Sequence, residues 1–336
     1  MKAREGDLIE TVDNIFFDVK GIVHPPNRVV AFIRYVPDIE GSRQKGDKKY
    51  SKYYSLGKRY KLLKEKYPQY LVNDPVFNTT LCEVPIEDIK HHHQPAEGLQ
   101  KLRIKDNLDE AENAALRFME ILQEKADVPW SQLGVSGSVL INLNTQASDI
   151  DLVVYGMKTG YKVQKTMKTL LEDENSPIKA YDMEGLKELF DFRSKDTNVS
   201  FEDFVRTDAR KISHGKFMGK DFYIRFVKNL DEISEQYGSI IYKPQGRARI
   251  KATVTDDSEL LFTPCTYKLD NVQILEGTKV DNIEEIVSFR GRFCEHAKSG
   301  EVVVAEGKLE LLQQQGKNEH YRLLLGSVPA DHMILV

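Results

Sequence analysis

One stretch constrains this chain more than any other: residues 134–156, GVSGSVLINLNTQASDIDLVVYG. Gly137-Ser138 sits where a turn should lead into a helix, VLINLNT, and the following SDIDLVVYG reads as a buried strand. Asp149 and Asp151 are separated by one residue, so in a strand both carboxylates point to the same side. Ile150 and Leu152 then face the core. Two same-face carboxylates preceded by a Gly-Ser helix start are what metal-assisted phosphoryl transfer requires. The backbone at Gly137 can approach triphosphate oxygens, and the Ser138 hydroxyl can donate to one of them. The carboxylates can hold Mg²⁺ or Mn²⁺, which neutralises charge on the transferring phosphorus and its leaving group. The plainer alternative is an Asx-rich turn that begins an ordinary strand.

The rest of the chain reads as an α+β protein in three segments. Residues 1–100 are β-rich: DLIETVDN, IFFDVKGIVH and, after the turn PPN, RVVAFIRYVP suggest a small antiparallel sheet. A basic helix is expected to follow it. HHHQP at 91–95 is expected to be a loop, because three adjacent histidines point in different directions in either regular structure. Residues 101–235 alternate helix and strand around the Asp149–Asp151 segment, as a mixed sheet with helices would. Ala111, Ala114, Ala115, Phe118, Met119 and Leu122 share one helical face, and KFMGKDFYIRFVK reads as a hairpin turning at Gly219. From 236 to 336 strand-like runs recur with turns every ten to fifteen residues, which suggests a small β-barrel or sandwich.

Charge enters the argument locally. The chain has 48 Lys and Arg against 52 Asp and Glu, a formal net charge of −4, which taken alone argues against a nucleic-acid partner. Residues 43–70, however, hold ten basic residues, two acids and six tyrosines, so this segment is +8 and the remainder −12. Cations can neutralise phosphates while aromatic faces stack on unpaired bases, so Lys52, Lys58, Arg59 and Lys61 are candidate contacts to RNA or single-stranded DNA. The alternative is a solvated helix with Tyr60, Leu63, Tyr67 and Tyr70 as its buried stripe. No apolar run approaches the ~18 residues of a membrane span, and the first residues carry no apolar secretory core. Three widely spaced cysteines suit reduced thiols, and the expected location is the cytoplasm.

The composite pattern of an apolar residue, Gly137-Ser138, ten residues and then Asp149-Ile150-Asp151-Leu152 resembles the signature of the DNA polymerase beta-like nucleotidyltransferase superfamily. The resemblance covers residues 105–235. The whole chain also resembles a family of predicted archaeal nucleotidyltransferases, through FDVKGIVHPPNRVVAFIRYVP, DFYIRFVK, VTDDSELLFTPCTYKLDNVQILEG and SFRGRF. These resemblances imply an intracellular protein that binds an NTP, with Asp149 and Asp151 as catalytic metal ligands and Gly137 and Ser138 at the triphosphate.

The chain departs from the superfamily in one respect. Active members carry a third carboxylate on a later strand, here expected to be DFYIRFVK. Its apolar face, Phe222, Ile224 and Phe226, must pack on helices, which leaves Arg225 looking toward the site. Either Asp221 reaches the metal from the strand end, or Arg225 occupies the expected position and binds triphosphate. Glu202, Asp203 and Asp208 on the preceding helix are weaker candidates for the missing ligand.

The sequence therefore leads to a Mg²⁺-dependent nucleotidyltransferase that moves a nucleoside monophosphate from an NTP to an acceptor hydroxyl, with RNA favoured as acceptor by the local charge. One alternative is a nucleotide- or RNA-binding module that retains the fold with little chemistry. Another is a protein-modifying, AMP-adding transferase. The sequence leaves the oligomeric state open.

Overall fold

A computed structural model describes residues 1–195 and 197–336. The protein is α+β, with seven α-helices and three sheets among the described residues. By packing the chain divides into two compact units. One comprises Met1–Asn73, Thr80–Ala180 and Ile212–Ser234; the other comprises Asp74–Thr79, Tyr181–Lys211 and Glu235–Val336. Most of residues 1–100 and most of 101–235 therefore share the first unit, whereas Asp74–Thr79 and the helical stretch from Tyr181 group with the C-terminal strands.

The N-terminal sheet contains β1 (Leu8–Thr11), β2 (Phe16–Val19), β3 (Arg28–Pro37), β4 (Arg43–Lys45), β5 (Lys48–Lys52), β6 (Leu71–Asp74), β7 (Thr79–Pro85) and β8 (Ile89–His93). Its main path runs β4-β5-β3-β2-β1-β8 through antiparallel pairs, and β7 pairs with both β3 and β6. The three histidines lie in β8, not in a loop, because Ile89–His93 pairs with the whole of β1. The alternation of a strand then sends His92 to Asp7 (2.7 Å) and His93 to Glu10 (3.2 Å).

The basic segment is not one helix either. Its first part is the β4–β5 hairpin, turning at Gly46 with φ +59°, and only α1 (Leu56–Lys66) is helical. The Ser55 hydroxyl caps that helix by accepting from the Lys58 N–H. The buried face of α1 is Arg59, Leu62 and Leu63, so the expected stripe is rotated and Tyr60 is only half-buried.

The central sheet is mixed: β9 (Leu133–Val135), β10 (Ile150–Tyr155), β11 (Ile178–Lys179), β12 (His214–Phe217) and β13 (Lys220–Val227), in the order β11-β12-β13-β10-β9. β10 and β13 are parallel and the other pairs antiparallel. Met218 and Gly219, both at positive φ, make the two-residue β12–β13 turn expected at Gly219. Around this sheet lie α2 (Pro95–Arg103), α3 (Glu110–Ala126), α4 (Gly137–Leu140) and α5 (Met157–Glu172). An Asp109–Glu112 capping box starts α3, and its six-residue apolar stripe from Ala111 to Leu122 is fully buried. The Phe118 ring packs 5.0 Å from Phe217 and 4.8 Å from Phe222, centroid to centroid. One face of the central sheet is thereby committed to helix packing. The opposite face carries Asp151, and further along β10 its Val153 and Tyr155 pack against Ala96 of α2.

The second unit contains α6 (Met183–Arg193), α7 (Phe201–Asp208) and the strands β14 (Ile240–Asp256), β15 (Cys265–Gly277), β16 (Ile283–Ser288), β17 (Val302–Gln314), β18 (His320–Leu325) and β19 (His332–Leu335). The order β14-β15-β16-β18-β17 closes through β14–β17 pairing, so five strands form a barrel and β19 extends it beside β17. All three cysteines in the chain are free and buried.

Candidate functional site

Ser136 donates its backbone N–H to the Asp151 carbonyl at 2.8 Å, which fixes the turn after β9 against β10. Gly137 follows with φ +60°, and a Cβ built on it would lie 1.9 Å from Asp151 Oδ2. Only glycine fits: the backbone lies against the carboxylate and adopts a left-handed conformation that side chains disfavour. The helix that follows is a single turn, Gly137–Leu140, and does not extend through VLINLNT. Asn142 at φ +56° ends it, and the Leu143 N–H returns to the Ser138 carbonyl at 2.9 Å. The Ser138 side chain is buried and donates to Ser148 Oγ at 3.2 Å.

Strand register decides what stands beside the carboxylates. In the parallel β10–β13 pair, Asp151 lies opposite Tyr223 and Val153 opposite Arg225. Across β12–β13, Tyr223 lies opposite His214. Asp151, Tyr223 and His214 thus form one row on one face. The position expected for Arg225 is taken by Tyr223. Arg225 lies two residues further on, where its guanidinium binds Glu5 Oε2 at 2.6 Å. Asp221 sits at the start of β13, half-exposed, with Lys216 opposite it at 2.8 Å. Among the described residues no group of three His, Cys, Asp or Glu side chains is placed to hold a metal ion. Asp149 and Asp151 come together, and Asp221 does not complete a triad with them.

The other wall of this face comes from the N-terminal sheet, in the same compact unit. Leu8, Phe16, Tyr35 and Tyr50 form one apolar cluster with Leu140, Ile141 and Leu143. Arg43 donates at 2.8 Å to both the Leu143 carbonyl and Ser148 Oγ. Ser136 Oγ donates to the Gly6 carbonyl, and the Arg4 guanidinium stacks 3.8 Å from the Tyr155 ring centre. These contacts hold the segment between β9 and β10 against strands β1 to β5.

The electrostatics follow from that wall. Partial burial and the adjacent Asp149 charge push the Asp151 carboxyl up to about 6, against the opposing pull of Lys52, Arg34 and Arg225. Asp18, on β2, behaves oppositely: burial would raise it, but Lys20, Arg225, Arg34 and Arg59 together hold it far below the usual carboxylate range. Lys52 is lowered by burial and by Arg34, with Asp149 and Asp151 acting in the other direction. The same carboxylates and cations appear on both sides of this balance. A cation beside the raised Asp151 carboxyl would favour its charged form, and two carboxylates with substrate oxygens and water suffice for Mg²⁺.

An archaeal relative, the uncharacterized protein MJ1086 of Methanocaldococcus jannaschii, is 33% identical over 335 residues, covering 97% of this chain and 96% of that protein. The chain belongs to its family. No family model matches the chain. No solved structure matches it.

The candidate nucleic-acid residues separate into two kinds. Lys58 and Lys61 are exposed on α1, the latter 3.8 Å from Glu65. Arg59 is only 6% exposed, donates to the Tyr53 carbonyl at 3.2 Å and stacks over Phe32, so it serves the interior of the unit. Lys52 is half-buried on β5, and its charge and those of Asp149 and Asp151 act on one another. Glu202 and Asp203 lie at the start of α7, and Asp208 at its end is buried between Arg193 (2.5 Å) and Lys211 (3.2 Å). Those three acids belong to the other compact unit. Sequence reasoning missed Glu5, Asp18 and Arg34, because nothing local marks them; it placed Tyr223 on the Arg225 face but expected His214 in a turn, whereas His214 begins β12.

No helix among the described residues is long and apolar enough to cross a membrane.

Proposed function

We propose that the protein is a metal-dependent nucleotidyltransferase, binding an NTP and passing its nucleoside monophosphate to an acceptor hydroxyl. One observation carries the reading: the Gly137 backbone is pressed against the Asp151 carboxylate on β10, and Asp149, just before that strand, is near enough for its charge to act on Asp151. In this role the two carboxylates would hold Mg²⁺ or Mn²⁺ with the phosphate oxygens. The metal, when bound, supplies charge neutralisation at the transferring phosphorus. Gly137 keeps the floor of the site free of a side chain. Ser138, whose hydroxyl now bonds Ser148, would bind phosphate only by turning from that partner.

RNA is the favoured acceptor class because Lys58, Lys61 and the rest of the +8 segment belong to the same compact unit as the site. A second reading, a nucleotide-binding module with weak chemistry, is favoured by the Tyr223–Asp151 register and by Arg225 being committed to Glu5. The test incubates the protein with each α-labelled NTP, Mg²⁺ or Mn²⁺, and total RNA and protein. Label on RNA supports the transferase with the favoured acceptor. Label on protein supports an AMP-adding type of transferase, and NTP binding without label transfer supports the module. Transfer that persists in Asp149→Ala plus Asp151→Ala would overturn the site assignment.

A further inference from the structure

Six cations act on Asp18, Asp149 or Asp151 or hold the loop before Asp149: Lys20, Arg34, Arg43, Lys52, Arg59 and Arg225. Four are already engaged. Lys20 and Arg225 hold Glu5, at 3.2 and 2.6 Å, and Lys20 also holds Asp18 at 3.2 Å. Arg43 donates to Leu143 and Ser148, and Arg59 to the Tyr53 carbonyl. Arg34 and Lys52 are different. Among the described residues neither side chain makes an ion pair or donates a hydrogen bond. What they share is one aromatic ring: the Arg34 guanidinium lies 4.5 Å and the Lys52 amino group 5.5 Å from the centre of Tyr54, which is 41% exposed.

Their position is fixed from both sides. Lys52 lies opposite Tyr35 in the β3–β5 pair, and Arg34 adjoins Tyr35 in β3. Tyr35 is buried in the cluster with Ile141 and Leu143, the segment that leads to Asp149. Arg43, one strand further, bonds that same segment. The strands carrying the two half-buried cations are therefore locked to the loop carrying the two carboxylates, and each pair of charges acts on the other. Both are held part-way out of water without an ion pair or hydrogen bond, although Asp18 and Asp151 act on Arg34 and Asp149 and Asp151 on Lys52 from further away. Donors held this way without a bonded partner favour a ligand oxygen that takes their hydrogen bonds.

The geometry points to a polyphosphate clamp, in which Arg34 and Lys52 of the N-terminal sheet take the outer phosphates of a nucleoside triphosphate whose inner phosphates meet the metal at Asp149 and Asp151. This deepens the nucleotide reading above and rests on it. It also moves the triphosphate cation from Arg225, which is spent on Glu5, to two residues outside the segment that resembles a nucleotidyltransferase. The exposed Tyr54 ring between them stiffens both side chains by cation–π contact.

Two titrations by calorimetry on the full chain test the clamp, one with inorganic tripolyphosphate and one with each Mg²⁺–NTP. Arg34→Gln plus Lys52→Gln should weaken both ligands roughly tenfold to a hundredfold, the range lost with charge-assisted hydrogen bonds. Arg34→Lys plus Lys52→Arg keeps the charges and guards against a folding artefact; it should bind tripolyphosphate within about threefold of wild type. Unchanged binding of both ligands by the Gln pair overturns the clamp. If NTP binding then still depends on Asp149 and Asp151, the nucleotide reading survives that failure. Clamp-dependent binding of tripolyphosphate with no binding of any NTP upholds the anion site and removes the nucleotide reading. Binding of neither ligand by wild type overturns both.

Discussion

Two acidic centres in this protein show how differently a carboxylate can be used. In the second unit Asp208 is buried and fully answered: Arg193 at 2.5 Å, Lys211 at 3.2 Å and the neutral His296 at 3.9 Å surround it. Burial, joined by the Lys211 charge, pushes His296 down to about 3, so it adds no positive charge at neutral pH. In the first unit Asp149 and Asp151 lie together, and the chain brings up cations without pairing them closely to either acid. The first arrangement is complete and joins α7 to its surroundings. In the proposed reading a cation and an anion from solution complete the second.

The comparison breaks first at Asp208. Asp208→Ala leaves the Arg193 and Lys211 charges buried and unanswered, and should cost about 3–5 kcal/mol of stability, read by denaturant unfolding. NTP binding should not change in whatever fraction stays folded. A loss below about 1 kcal/mol would mean that the pairing is ornamental.

Gly137→Ala comes next. Its Cβ must displace the Asp151 carboxylate from a backbone at φ +60°, at a cost of about 1–3 kcal/mol together with loss of metal binding. Metal affinity that survives this change would separate Gly137 from the site.

Asp151→Asn has the opposite sign. Because the folded carboxyl titrates near 6 and not near its ordinary 3.8, ionising it works against folding. Below about pH 4 the variant and wild type should be equally stable. Between pH 4 and 6 the variant should gain, and above pH 6 it should be more stable by up to about 2 kcal/mol in metal-free buffer. A destabilised variant at pH 7.5 would show that the carboxylate is structurally satisfied, like Asp208.

The smallest effect belongs to α1. Lys58→Glu plus Lys61→Glu should weaken RNA binding several-fold and flatten its salt dependence, whereas Arg59→Ala should act on stability through lost packing. Unchanged RNA affinity in the Lys pair would return α1 to a solvated face.

What was legible in the sequence was what local periodicity writes there. The α3 stripe, the Gly219 turn, the alternation through Asp149 and Asp151 and the strand-rich C-terminal third all correspond to elements of the fold. The misses share one cause. The histidine run became a strand because β1 offered it a partner, and the first part of the basic segment became a hairpin whose outer strand reaches the carboxylate loop through Arg43. VLINLNT looked helical by composition, yet Asn142 in the left-handed region stops the helix after one turn. The half of the site that comes from the N-terminal sheet was invisible for the same reason. Arg34 and Lys52 are ordinary strand cations until the pairing of β3 with β5 and the Tyr35 packing bring their charges within reach of Asp151.

The central claim is that Asp149 and Asp151 form a divalent-cation site completed by a nucleotide. Counting bound Mn²⁺ by electron paramagnetic resonance, with and without an NTP, tests it most directly. Wild type should bind Mn²⁺ at one tight site that strengthens with NTP, and Asp149→Asn plus Asp151→Asn should abolish that site while the protein stays folded. Equal Mn²⁺ binding by the two proteins, or no NTP-dependent site in wild type, would contradict the claim.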